Sequence, residues 1–164
     1  MQDLIELFRH NTWANARVFD LVLGIDAELC EREAPGTRDS VTGTLGHLVR
    51  VEDAYLTMTT RRDREWLGSN DEYMARGLGW FSNRIREIGS EYVKLLESSS
   101  PESLEFDLGI PWFDFRVSAR EGLRQTLAHS AQHRSQVLSW LSANGVQTPD
   151  LDYVLMLKET RAAL

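Results

Sequence analysis

A single cysteine, Cys30, stands among 164 residues, so no internal disulfide can form and no thiolate cluster exists for a zinc site. With no histidine near it in sequence, Cys30 reads as a helix-end or loop residue rather than a nucleophile. Long apolar runs are missing as well; no stretch approaches the ~20 residues that a membrane span requires. A positive charge balance is also missing, and the net charge is -7. That balance excludes nucleic acid, whose phosphates need clustered cations to release counterions. It equally disfavours an anionic membrane surface. Internal repeats and low-complexity segments are absent too. The segment Met1-Gln2-Asp3-Leu4 begins an amphipathic pattern without a basic region and apolar run, so no signal peptide is expected and the expected location is cytoplasmic.

What the chain does have is an ordinary globular composition, 42% apolar and 26% charged, enough to bury a core in one domain spanning residues 1–164. Helical periodicity dominates. Leu4, Phe8, Val18, Phe19 and Val22 share one stripe of a first helix over residues 2–23, with Gly24 as its stop. Cys30 to Arg38 carries Pro35 and Gly36 and reads as a loop. A second helix is expected from about Ser40 to Arg62. Ser69-Asn70-Asp71-Glu72 forms a capping box, Ser and Glu three apart, which opens a third helix continuing to Ser98. Residues 102–117 break the pattern: Phe106, Leu108, Ile110, Trp112, Phe113 and Phe115 sit among Gly109 and Pro111, as an extended apolar stretch. A second capping box, Ser118-Ala119-Arg120-Glu121, opens a fourth helix ending at Asn144-Gly145. A short terminal helix is expected from Leu151 to Ala163. The fold class is therefore all-α, a four-helix bundle with a long crossover between helices three and four plus a short C-terminal helix.

Histidines carry the chemistry. His129 and His133 are four apart, so their side chains stack about 6 Å apart at Cβ and can converge on one ion. Two ligands are too few for a tight site, and the third must come from elsewhere. At about 100° per residue, His47 shares the inward face of helix two with Ser40, Gly43, Val51, Ala54, Tyr55 and Met58, opposite Arg50, Asp53 and Thr57. His10 lies roughly 120° from the inward stripe of helix one and is assigned to the wet side with Glu6 and Arg17. The expected metal ligands are thus His47, His129 and His133. Three neutral imidazoles leave positions open on the ion, as catalytic sites do.

Polar residues at core positions are the next anomaly. Asn11, Thr12 and Asn15 sit where a core wants leucine, so they either pair with neighbours or line a wet cavity opposite the metal. The second alternative makes Asn11 and Asn15 substrate-binding candidates. Ser130 and Gln136 are candidates for orienting ligand imidazoles. Arg134 falls in the stripe of Leu123, Leu127, Leu138 and Leu141; it either binds an anion, braces the site, or snorkels from the bundle edge. Trp112, with Phe113 and Phe115, either covers the pocket as an apolar lid or packs over a seam. Glu52 and Asp53 point roughly 140° and 120° away from His47, so no general base is assigned.

The segments Asn11-Thr12-Trp13-Ala14-Asn15, Gly43-Thr44-Leu45-Gly46-His47-Leu48 and Ala128 to Val137, in this order and spacing, resemble the DinB (damage-inducible) family, also called the DinB/YfiT-like metalloenzymes. The third resembles the family's His-three-residues-His-Arg-Gly-Gln run, with Ser135 in place of the commoner glycine. Gly145 and Asp150 to Asp152 follow as in the family. The resemblance spans nearly the whole chain. It implies the same His47, His129 and His133 triad, a bundle with a long crossover, frequent homodimers, and nickel, zinc or a related ion. Characterised members include bacillithiol S-transferases, a mycothiol-dependent isomerase and a hydrolase.

The expectation is therefore a metal-dependent transferase or hydrolase acting on a small molecule. A bound cation would lower the pKa of a water or of a low-molecular-weight thiol, giving hydroxide or thiolate near neutral pH. The alternatives are a non-catalytic metal-binding stress protein and a metal-free helical interaction module.

Overall fold

The computed structural model describes residues 1–63 and 65–162 and is mostly helical. Four long helices dominate: α1 (Gln2–Leu23), α3 (Val41–Thr59), α5 (Gly77–Glu97) and α6 (Ala119–Ala143). Shorter α2 (Ala27–Glu31), α4 (Asn70–Met74) and α7 (Tyr153–Ala162) join or follow them. Helix α1 packs against α5 and α6, and α3 packs against the same two. No helix among the described residues is long and apolar enough to cross a membrane.

Local chemistry explains where these elements start. Ser40 caps α3 by accepting from the Gly43 amide at 2.9 Å. Ser69 and Ser118 form full capping boxes with Glu72 and Glu121, satisfying amides that a helix start would leave unpaired. Buried Phe8, Phe19, Leu45, Leu48, Phe81, Ile85 and Ile88 fill the interior. Helix α3 is buried on both sides, because Asp53 and Thr57, expected opposite the inward face, are also enclosed. Asp53 is held there by Arg84, at 2.7 and 3.1 Å, and by the Tyr73 hydroxyl at 3.0 Å, so this carboxylate clamps α5 to α3.

Three sequence expectations need correction. The helix opened by Ser69 is two helices, because Gly77 adopts φ of +76°, a left-handed conformation that breaks the helical path and that glycine adopts without steric cost. The stretch 102–117, expected to be extended, is so in an antiparallel hairpin, β1 (Asp107–Ile110) and β2 (Phe115–Ser118), paired in register from Asp107↔Ser118 to Ile110↔Phe115 and preceded by a 3-10 turn. The expected loop from Cys30 begins inside α2, whose packing buries the thiol. His10 is half-buried rather than wet. Its Nε2 lies 2.7 Å from the Leu151 carbonyl and its ring stacks on Trp13 and meets the edge of Tyr153. The segment 146–162 folds back over the outer side of α1, where Glu159 accepts from Trp13 and Arg17. Ala163, the expected end of the terminal helix, lies outside the described residues.

Candidate metal centre

The caps fix where α3 and α6 begin, and the packing of the two helices on each other decides which faces meet. His47 thereby reaches the α3–α6 seam two turns into α3, and His129 and His133 face it from the middle of α6. Gly46 makes room immediately behind His47: a Cβ there would lie 2.5 Å from Met74 Cε and 2.9 Å from Phe81 Cε2. Glycine thus lets α4 and α5 press close to the turn that carries the imidazole.

The three imidazoles converge. His129 Nε2 is 3.2 Å from His47 Nε2 and 3.1 Å from His133 Nε2, and one ligand atom of each residue lies within 4.8 Å of the others. Ligands bonded at ~2.05 Å and separated by these distances subtend roughly 100° at a shared ion, between tetrahedral and octahedral angles. Proton accounting points the same way. Gln136 Oε1 lies 2.7 Å from His133 Nδ1, so Nδ1 carries the proton and Nε2 presents a lone pair. His129 Nε2 then faces two other Nε2 atoms, and a single proton on it can satisfy only one of them. A cation receiving three lone pairs resolves that conflict. The site could hold a metal ion.

Burial keeps these rings neutral. Removal from water, with the positive field of Arg38 and His133, lowers the His47 pKa to about 4. Desolvation and the two neighbouring imidazoles lower that of His129 to about 3. His133 is also lowered by burial, against the opposing bond to Gln136. The unfolded chain, with ordinary histidines near 6.5, binds more protons than the fold between that value and about 4. Stability of the metal-free protein therefore falls as pH drops through this window. We expect thermal melts of metal-free protein to lose midpoint temperature between pH 7 and pH 5, and a His47→Gln, His129→Gln double variant to flatten that slope. An unchanged slope in the variant would place the acid lability elsewhere.

A polar network lies beside the triad. Glu52, fully buried, accepts through Oε1 from Asn11 Nδ2 at 2.9 Å, Asn15 Nδ2 at 2.8 Å and Ser130 Oγ at 2.6 Å. The same two asparagines accept through Oδ1 from Arg134 Nη1, at 2.5 and 2.7 Å. The amides thus relay between a carboxylate and a guanidinium on different helices, tying α1, α3 and α6 together. Of the sequence alternatives for Asn11 and Asn15, the structure shows pairing with neighbours. Arg134 is 6% exposed, enclosed rather than snorkelling. Ser130 donates to Glu52, and among the described residues no hydrogen bond joins it to an imidazole; Gln136 bonds His133. Glu52 is the member that sequence reasoning missed. Its signal was indirect, since a buried Arg134 and two core amides demand a carboxylate from a facing helix.

Along the same seam a cavity of about 550 Å³ is lined by Tyr55, Ile110, Phe113, Phe115, Val117, Glu121, Arg124, Gln125 and Ala128. Ala128 precedes His129 and Gln125 is one turn before it, so the cavity neighbours the triad. Phe113 and Phe115 are 68% and 65% exposed at its rim. Trp112 stands next to it, 45% exposed, its ring edge-on to Tyr55 with centroids 5.6 Å apart.

Among curated proteins none matches the chain. The model of the DinB family matches residues 1–162, a span that holds the three converging histidines, the amide relay and the hairpin. The chain belongs to the DinB family.

Proposed function

We propose that this DinB-family protein is a divalent-metal-dependent enzyme that transfers a thiol sulfur to a small electrophile, with hydrolysis as the second reaction the site can support. One observation carries the reading: ring nitrogens of His47, His129 and His133 converge beside an apolar cavity. A zinc or nickel ion held by His47, His129 and His133 would supply Lewis-acid chemistry, acidifying a thiol or water that occupies its remaining positions. Thiol transfer is preferred because a thiol, already near its ionisation range, asks least of a general base, and Glu52 Oε1 is taken up by Asn11, Asn15 and Ser130. The cavity gives an electrophile an apolar bed of Tyr55, Ile110 and Val117, and Trp112, Phe113 and Phe115 stand where they would cover it. The amides of Asn11 and Asn15 would act on substrate only by leaving Glu52 and Arg134, so their proposed part is to hold the helices that carry the ligands.

The same reading takes the four packed helices as a four-helix bundle with a long crossover, in one cytoplasmic domain that works as a homodimer. The experiment is elemental analysis of protein purified without a nickel column, followed by an assay of low-molecular-weight thiols with electrophiles. We expect about one ion per chain and turnover that a chelator abolishes and added metal restores. Stoichiometric metal without turnover of any thiol or ester would favour non-catalytic metal storage, and metal-free protein that binds no added ion would overturn the proposal.

A further inference from the structure

Three buried side-chain polar atoms have no hydrogen-bond partner among the described residues: Thr42 Oγ1, Glu52 Oε2 and His129 Nδ1. Thr42 is in the first turn of α3, away from the others. The remaining two are linked through the packing of α3 on α6, since Ser130, the residue after His129, donates at 2.6 Å to the other oxygen of the Glu52 carboxylate. Their chemistry is complementary. When His129 gives its Nε2 lone pair to an ion, its neutral ring must carry the proton on Nδ1, a donor with nothing to receive it. Glu52 Oε2 is an acceptor with nothing donating to it. Each alone is costly to bury.

We propose that Glu52 is a positioning residue for the metal site: its Oε2 receives the His129 Nδ1 proton through one enclosed water, completing a carboxylate–water–histidine–metal relay. This rests on the triad's holding an ion. Buried waters typically bond polar groups that would otherwise lack a partner. A carboxylate behind a ligand imidazole fixes its tautomer and strengthens its donation. The arrangement also accounts for the lopsided bonding of Glu52, in which three donors crowd Oε1 and leave Oε2 open. His133 has its own outer partner in Gln136, so two of the three ligands would be oriented by side chains from within the fold. Arg134, bonded to the same asparagines, lowers the Glu52 pKa against the burial that raises it, which favours the accepting carboxylate.

The test uses the full chain with Zn²⁺. Nitrogen-15 NMR of the zinc-loaded wild type should show a His129 Nδ1–H signal that exchanges slowly with solvent, and Glu52→Gln should lose that protection while weakening zinc affinity about 10–100-fold. Gln keeps an oxygen for the Oε1 donors but places an NH₂ group where an acceptor is needed. Ser130→Ala removes a bond to Oε1 only; it should lower the melting temperature yet leave zinc affinity within about threefold and the Nδ1–H protected. Equal loss of affinity in both variants would reduce Glu52 to a helix tie and overturn the relay, as would wild-type affinity in Glu52→Gln. If Glu52→Gln does not fold, the wild-type signal decides, because a His129 Nδ1–H exchanging as freely as an exposed imidazole overturns the relay. Failure of the wild type to bind zinc at all would instead sink the metal-site reading beneath it.

Discussion

His47→Ala will lower zinc affinity by more than about 100-fold, beyond what loss of an outer-shell partner typically costs, while leaving the helices folded. The reason is the division of ligands between helices. Without His47 only the His129–His133 pair remains on α6, and two imidazoles four residues apart do not make a tight site. Folding should survive, because alanine suits a helix interior and because the substitution removes a desolvated imidazole whose pKa is held at about 4. Competition against a chromophoric chelator gives the affinity, and melting of the metal-free variant gives the stability. Retention of near wild-type affinity would mean that the ion, if bound, sits elsewhere, and the proposed chemistry would go with it.

Arg134→Met will destabilise the protein by about 3–5 kcal/mol at neutral pH, the cost of stripping the partner from a buried charge. Against a total stability of about 5–15 kcal/mol, that is a large share. Glu52 is fully enclosed and its pKa is already raised by burial, against lowering by Ser130, Asn11, Asn15 and the Arg134 charge. Taking the guanidinium away also strands the two Asn Oδ1 atoms it bonds. The pH dependence follows in sign. Glu52 in the variant has a folded pKa above its unfolded value, so the fold binds more protons in that interval and gains stability as pH falls through it. The deficit should therefore shrink on mild acidification. Adding Glu52→Gln to Arg134→Met should recover part of the loss, as expected for residues that share one network. A single-variant loss below about 1 kcal/mol by denaturant titration would show that the relay does not carry this charge balance.

Both results depend on residues of unequal legibility. His129 and His133 are readable from their spacing alone, since four residues return a helix to the same face. His47 is readable from rotation about α3, because its neighbours on that face are apolar. The capping boxes at Ser69 and Ser118 announce helix starts by chemistry contained within four residues. Asn11, Asn15 and Arg134 are visible as anomalies, polar groups on apolar stripes, but their partners are not. The helix break at Gly77 is hidden because one left-handed glycine between two helical patterns leaves the periodicity nearly intact. His10 is misplaced by periodicity because it reports only how α1 meets the core, while α7 covers the opposite side.

What the chain determines locally is therefore the identity of its helices, their caps, their inward stripes and the three candidate ligands, all governed by interactions spanning about four residues. Tertiary structure decided the rest. It brought Nε2 atoms 82 positions apart to 3.2 Å. It enclosed Glu52 among donors from α1 and α6, and it turned residues 107–118 into a hairpin beside the seam. Side-chain periodicity specifies which way a residue points from its own helix axis. Which residue of another helix it then meets depends on how the axes pack, and that is fixed only when the whole core closes.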